Sequence, residues 1–261
     1  MGLADLVRHS ERALLPVLPR FFTLWLESLY FSRFGEAELA LLPRLMRPGW
    51  DAVDVGGHEG AYAIFLRKLA RRVHVFEPVP LMAKFLRQKF GDSVQIHEEA
   101  LSSTTGQAVL HFPRRSKFGD PSALASLNDE VMGGQTDIVE IPVRTSRLDD
   151  HGFDRVGLIK IDVEGHEEAV LAGARATIER CRPSLIVEIE ERHAKGALER
   201  IAAWFDALAY DCLYLHEGRL VPLGSSTAAE LQASGSPFVA GFYIRNFIFL
   251  PREHSSEGWA R

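Results

Sequence analysis

The sequence predicts an α/β fold, a mostly parallel sheet with helices on both faces. Three observations predict it. From Trp50 onward, short apolar runs alternate with stretches of helical length, the pattern of strands joined by helical crossovers. A glycine-rich turn, Val53-Asp54-Val55-Gly56-Gly57-His58-Glu59-Gly60, closes the first of these runs and opens a helix. The chain has 261 residues, 46% of them hydrophobic and 25% charged, which is ordinary globular usage. One α/β sheet can occupy roughly 200–250 residues, and a core of that size needs no staples.

Residues 1–48 form an N-terminal helical segment, with Leu14, Leu15, Leu18, Phe21, Phe22, Trp25, Leu26 and Leu29 at steps of three and four. Pro16, Pro19 and Pro43 break or bound it. Two readings stand: a cover packed on the main domain, or an aromatic face for a membrane surface or a partner. The main domain spans 49–261. Its strands are expected at 52–55, 73–76, 94–97, 158–161 and 185–189, with helices at 62–69, 81–90, 167–180 and 194–208. Runs at 212–215 and 246–250 supply two final strands. The stretch 103–147 breaks the alternation: strands at 109–112 and 138–143 flank a loop with Gly119, Pro121, Ser122, Gly133 and Gly134. It reads as a β-excursion whose loop, 113–137, has glycines to hinge and closes as a lid, with Phe118 as an aromatic cover.

Composition narrows the function. Thirty basic against thirty-five acidic side chains give a net charge of −5, whereas nucleic-acid binders carry a basic field; no nucleic-acid partner is expected. Cys181 and Cys212 are too few for a disulfide framework or a cysteine zinc site. The longest early apolar stretch, 21–31, is interrupted by Glu27 and falls short of the ~20 residues of a membrane span. The first residues lack the pattern of a signal peptide, and Leu6 stands where a myristoylation site has Ser or Thr. The expected location is cytoplasmic. No G-x-S-x-G or C-x-x-C is present, so serine-hydrolase and thiol-redox chemistry have no local support.

The glycine turn is neither a dinucleotide fingerprint nor a phosphate loop, because Asp54, Glu59, Ala61 and Tyr62 occupy the positions those need. What remains is D-x-G-x-x-x-G: Gly56 and Gly60 let the backbone approach a ligand, and Asp54 repels a pyrophosphate but suits an ammonium and a sulfonium. S-adenosylmethionine carries both. Glu77, in Phe76-Glu77-Pro78, ends the second strand 77 − 60 = 17 residues after the last glycine, where an acid accepts hydrogen bonds from ribose hydroxyls. Glu98-Glu99-Ala100-Leu101 lies at the third tip, where small residues can wall an adenine. At the fourth tip, Lys160-Ile161-Asp162-Val163-Glu164-Gly165-His166 puts Asp162 and Glu164 toward the ligand edge. Asp162 is also a candidate helix cap. His166 is a base, a substrate contact or a solvated helix-start residue. Glu167 and Glu168 read as surface residues complementing a helix dipole. Glu188 and Glu190 alternate with apolar residues on the next strand; Glu188 is a base, an acceptor for a substrate hydroxyl or half of a structural ion pair.

Together VDVGGHEGAYAIFLRKLA, VFEPVP, EEALSSTTG, IPVRTSRLDD, LIKIDVEGHEEAVLAGA, RPSLIVEIEE and the terminal NFIFLP resemble the FkbM family of S-adenosylmethionine-dependent methyltransferases. The resemblance covers about 48–191 and the last strand. It implies a Rossmann-like class I sheet of seven strands and methyl transfer to a hydroxyl of a sugar, glycan or natural-product alcohol. It places the cofactor on Asp54, Gly56, Gly57, His58, Gly60, Glu77, Pro78, Glu99, Ala100 and Asp162, although Gly57-His58 replace the commoner Ala-Asn. The base is sought among Asp162, Glu188 and His166. A divalent metal on Asp162, Glu164 and Glu188 is the less favoured substitute for that base. The alternatives are an N-methyltransferase and a non-catalytic cofactor-binding scaffold.

Overall fold

The computed structural model describes residues 19–113, 125–127, 137–233 and 243–255. Residues 114–124 and 128–136 of the expected lid, Phe118 among them, lie outside these, as do Leu14, Leu15 and Leu18 of the expected N-terminal stripe. The chain enters through helix α1 (Arg20–Phe34), a 3-10 turn and the short α2 (Leu42–Leu45). It then alternates: β1 (Asp51–Val55), α3 (Ala61–Leu66), β2 (Val73–Phe76), α4 (Pro80–Phe90), β3 (Gln95–His97). The excursion follows as β4 (Ala100–Leu101), β5 (Gly106–Pro113) and β6 (Ile138–Ser146). Alternation resumes with β7 (Val156–Ile161), α5 (Glu167–Gly173), α6 (Arg175–Cys181), β8 (Ser184–Glu188) and α7 (Ala197–Ala207). It closes with β9 (Tyr210–His216), β10 (Arg219–Pro222), α8 (Ala228–Leu231), β11 (Asn246–Pro251) and α9 (Arg252–Ser255).

The main sheet has the order β10-β9-β11-β8-β7-β1-β2-β3. Strands β3, β2, β1, β7 and β8 run parallel; β11 inserts antiparallel between β8 and β9. The seven expected strands are there, and β10 adds an eighth at the edge. It exists because Glu217 and Gly218 both take positive φ, 47° and 76°, the geometry of a tight hairpin turn. The excursion forms a separate three-stranded sheet, β4-β6-β5.

Apolar residues of both strand faces are buried, as parallel strands require. Val53, Val55, Ile159, Ile161, Leu185 and Val187 pack with α5, α6 and α7. Ala52, Leu158 and Ile186 face Ile64, Leu66, Leu86 and the N-terminal residues Leu24 and Leu39. The helix expected over 167–180 is two helices broken at Ala174. A Cβ on Gly173 would stand 2.0 Å from the Ser102 carbonyl oxygen, so the helix turns where it presses on that backbone.

Helix α1 packs by its polar side. Thr23, Leu24, Glu27 and Ser28 are buried, while Phe21, Phe22, Trp25, Leu26, Leu29 and Phe34 are exposed. Glu27 forms an ion pair with Lys89 of α4, both about 1% exposed. None of the described helices is long and apolar enough to cross a membrane.

Candidate functional site

The carboxyl ends of β1, β2, β7 and β8 converge on one edge of the sheet, and a cavity of about 470 Å³ opens there. Gly56, Gly57, His58 and Asp54 line it from the first turn, Lys160 and Asp162 from β7, and Arg245 from the entry to β11. Tyr30, Phe31, Phe34, Gly35 and Glu36 close the opposite wall.

The turn is built by close approach. Gly56 has φ +78°, and a Cβ there would lie 1.8 Å from the Asp162 carbonyl oxygen; at Gly60, φ +79°, it would meet Phe90 at 2.6 Å. Gly56 donates its N–H to the Phe76 carbonyl at 2.9 Å, and Asp162 donates to Val55 at 3.0 Å, so the tips of β1, β2 and β7 are tied together. His58 sits at φ +41°, a conformation uncommon without glycine. Lys89 donates to the Glu59 carbonyl at 2.7 Å, fixing the turn to α4.

Asp54 is 2% exposed, and its Oδ2 has no hydrogen-bond partner. Burial pushes its carboxyl up to about 7, against the pull of Lys160 and with the push of Asp162, Glu77 and Glu36. Glu77 is buried, not an exposed loop acid. It accepts the N–H of His58 at 2.8 Å and that of Val79 at 2.9 Å. Burial raises it to about 7 in spite of both.

Register sets Lys160 of β7 opposite Asp54 of β1. Its ammonium, 1% exposed, donates to Asn246 Oδ1 at 3.2 Å and lies 3.8 Å from Asp162 and 4.0 Å from Glu188. Burial alone would lower its pKa; Asp162, Glu36 and Glu188 outweigh burial and raise it. Arg245 bridges Glu36, at 2.7 Å, and Glu188, at 3.3 Å, and Tyr62 donates to Glu36 at 2.6 Å. Burial works to raise Glu36, but Lys160 and Arg245 hold it below its ordinary value.

Of the three candidate bases, Asp162 lines the cavity, with its side chain one-third exposed. Glu188 does not; it is held between Arg245 and Lys160, with burial and Asp162 raising it well above the carboxylate range. His166 contacts the Ser102 hydroxyl at 3.0 Å and does not line the cavity. Pro78 borders Glu77, half-buried. Ala100 packs with Val79, Met82, Leu110 and Val143, and Glu99 faces His97 and His151. The suggested metal trio is not assembled: the Lys160 ammonium stands between Asp162 and Glu188, and Glu164 is taken by His193 at 3.0 Å. Glu168 is a surface residue paired with Arg200, but Glu167 is not. It is 4% exposed and accepts the N–H of Gly165 at 3.0 Å and Val163 at 3.3 Å, closing the loop on its own helix start.

Sequence reasoning missed Lys160, Arg245, Glu36 and Tyr62. Lys160 had a signal, a cation inside an apolar strand, which requires a partner as a buried carboxylate does.

The methyltransferase FkbM domain family matches residues 54–214. Among curated proteins, the 2-O-methyltransferase NoeI of Sinorhizobium fredii (strain NBRC 101917 / NGR234) is 28% identical over 156 residues, covering 53% of this chain and 63% of that one. Among solved structures, methyltransferase FkbM of Methylobacillus flagellatus KT is similar at 17% identity and a TM-score of 0.49, over 94% of this chain and 60% of that one. An rRNA methylase of Streptococcus thermophilus is similar at 11% identity and 0.45, over 81% and 91%. The chain thus spans somewhat under two thirds of the length of NoeI and of the FkbM structure.

Proposed function

The chain belongs to the FkbM methyltransferase family, and from that premise we propose that it transfers methyl from S-adenosylmethionine to a hydroxyl oxygen of a sugar, glycan or other natural-product alcohol. The observation that carries this reading is Asp54, a buried carboxylate with one oxygen unpaired beside the glycine turn. Such a group demands a partner, and the ammonium of the methionine end is one. The fit extends along the edge. A Cβ on Gly56 or Gly57 would strike the Asp162 carbonyl or Val75, so the turn stays bare backbone, and each Glu77 oxygen keeps acceptor capacity for a ribose hydroxyl beyond its backbone N–H.

When bound, S-adenosylmethionine supplies a methyl group on a sulfonium leaving group. In this reading Asp162 takes the proton of the acceptor hydroxyl, a role supported by its lining the cavity, which Glu188 and His166 do not. The Lys160 ammonium, 3.8 Å away, balances its charge. The wall of Tyr30, Phe31 and Phe34 offers apolar faces for the non-polar side of an acceptor ring. An oxygen acceptor is further supported by the relative NoeI, named a 2-O-methyltransferase.

Calorimetry with S-adenosylhomocysteine on the wild type and on Glu77→Ala tests the cofactor half. Saturable binding that weakens about 10–100-fold in the variant is expected from losing charge-assisted hydrogen bonds. Folded wild type that takes up none of it overturns the reading. With labelled methyl donor and glycan or small-molecule acceptors, Asp162→Asn should lose about 10²–10⁴-fold in turnover while still binding S-adenosylhomocysteine. Full turnover would remove Asp162 as the base.

A further inference from the structure

We propose that His97, Glu99 and His151 form a site for a divalent transition-metal ion of the zinc type, outside the cavity described above. His97 ends β3, Glu99 follows two residues on, and His151 ends the 3-10 turn Leu148–His151 before β7. Their ligand atoms lie within 4.8 Å of one another, with Glu99 Oε1 3.9 Å from both His97 Nδ1 and His151 Nε2. Zinc bound at ~2.0–2.1 Å by tetrahedral ligands sets them about 3.4 Å apart. Small side-chain rotations close the difference. Two imidazoles and one carboxylate are a donor set that zinc accepts, with a fourth position left for water.

The surroundings prepare the ligands. His97 Nε2 lies 3.2 Å from His74 Nδ1, and His74 Nε2 faces Asp51 Oδ2 at 4.0 Å. With His74 Nε2 protonated toward Asp51, its Nδ1 accepts the proton of His97 Nε2. The His97 Nδ1 lone pair is then aimed at Glu99. This is the outer hydrogen bonding that fixes a ligating histidine's tautomer. Phe76 stacks on His97 at 4.4 Å and 11°, and Phe153 on His151 at 5.5 Å and 9°; the ring planes are set. The Ser146 hydroxyl, 3.0 Å from His151 Nε2, is a rotor that yields this nitrogen. Among the described residues Glu99 meets no lysine or arginine. The comparable cluster of Glu164, Glu190 and His193 is different, because Arg192 already holds Glu190 at 2.6 and 2.8 Å.

The test is zinc titrated calorimetrically into the chelator-stripped, tag-free chain. One equivalent should bind. His151→Ala and Glu99→Gln should each weaken it at least ~10-fold, and His74→Phe, which removes no ligand, by about 10–100-fold. Cobalt(II) should give the visible bands of an ion in a nitrogen and oxygen environment, a readout on the unmutated chain that no folding defect can imitate. No saturable uptake by wild type, or equal uptake by all four proteins, overturns the site. So does a Glu99→Gln variant that loses S-adenosylhomocysteine binding with zinc uptake unchanged, since Glu99 then serves the adenine. Because metal uptake is measured without turnover, failure here leaves the methyl-transfer reading standing.

Discussion

Gly56 is the residue on which the cofactor turn depends. Alanine there must hold φ near +78° and place a Cβ 1.8 Å from the Asp162 carbonyl oxygen. Relief requires the tips of β1 and β7 to part. Gly56→Ala should therefore cost upward of about 2 kcal/mol and abolish S-adenosylhomocysteine binding. Urea midpoints and calorimetry check both, and an alanine variant with wild-type values would show that the turn yields freely. Such glycines are legible in sequence because the strand-to-helix junction and its spacing are local. Asp54 and Glu77 are legible for the same reason: each stands at the end of an apolar run. The partner groups are not local. Glu36 and Arg245 are 209 residues apart and meet only through the fold. Glu167 misled in the other direction, because a helix-start glutamate looks the same in sequence whether it faces water or, as here, its own loop's N–H groups.

At the scale of elements, helix α1 shows what periodicity leaves open. Steps of three and four announce a helix, but the side that packs is chosen by the partner. Here the partner offers Lys89, and the stripe that turns inward carries Glu27 with Thr23, Leu24 and Ser28. The hydrophobic stripe is left outside, Trp25 being 52% exposed. This orientation predicts an inverted mutational pattern. Leu24→Ala should cost about 2–5 kcal/mol, and Trp25→Ser should stay within ~0.5 kcal/mol. Glu27→Ala, which strands a buried ammonium, should cost about 3–5 kcal/mol. Replacing Glu27 by Leu and Lys89 by Met together should recover much of that. Chemical denaturation of the set measures it; a Trp25→Ser loss as large as that of Leu24→Ala would mean that the opposite face is the packed one. Lys89 also holds the Glu59 carbonyl, so Glu27→Ala should weaken S-adenosylhomocysteine binding although Glu27 does not line the cavity.

Across the whole molecule, the parallel order of β3, β2, β1, β7 and β8 brings to one edge acids that lie far apart in the chain. The alternation of runs and helices made this sheet legible, since crossover connections leave few arrangements open. The excursion sheet was legible only as a break in that alternation. The common edge has a thermodynamic consequence. Burial raises the carboxyl of Asp54 from 3.8 to about 7, so between those values the folded chain holds a proton that the unfolded chain has released. Unfolding free energy then falls with rising pH across that window and levels off above about 7, since stability follows the excess of protons bound by the unfolded state. Asparagine at position 54 has no such proton. The stability of Asp54→Asn relative to wild type should therefore climb by about 2–3 kcal/mol from pH 5 to pH 8, the range that holds some two of the three pH units of separation. The difference between the two proteins isolates Asp54 from the histidines, which titrate with the opposite sign. A bound ammonium reverses the pressure on Asp54 by favouring its charged form. S-adenosylhomocysteine binding at pH 6 should then expel protons, seen as a binding heat that varies with the ionisation enthalpy of the buffer. Asp54→Asn should remove up to one proton of that release and leave the share of Glu77, which is also held near 7. Binding without proton release in the wild type would mean that the ammonium does not meet Asp54.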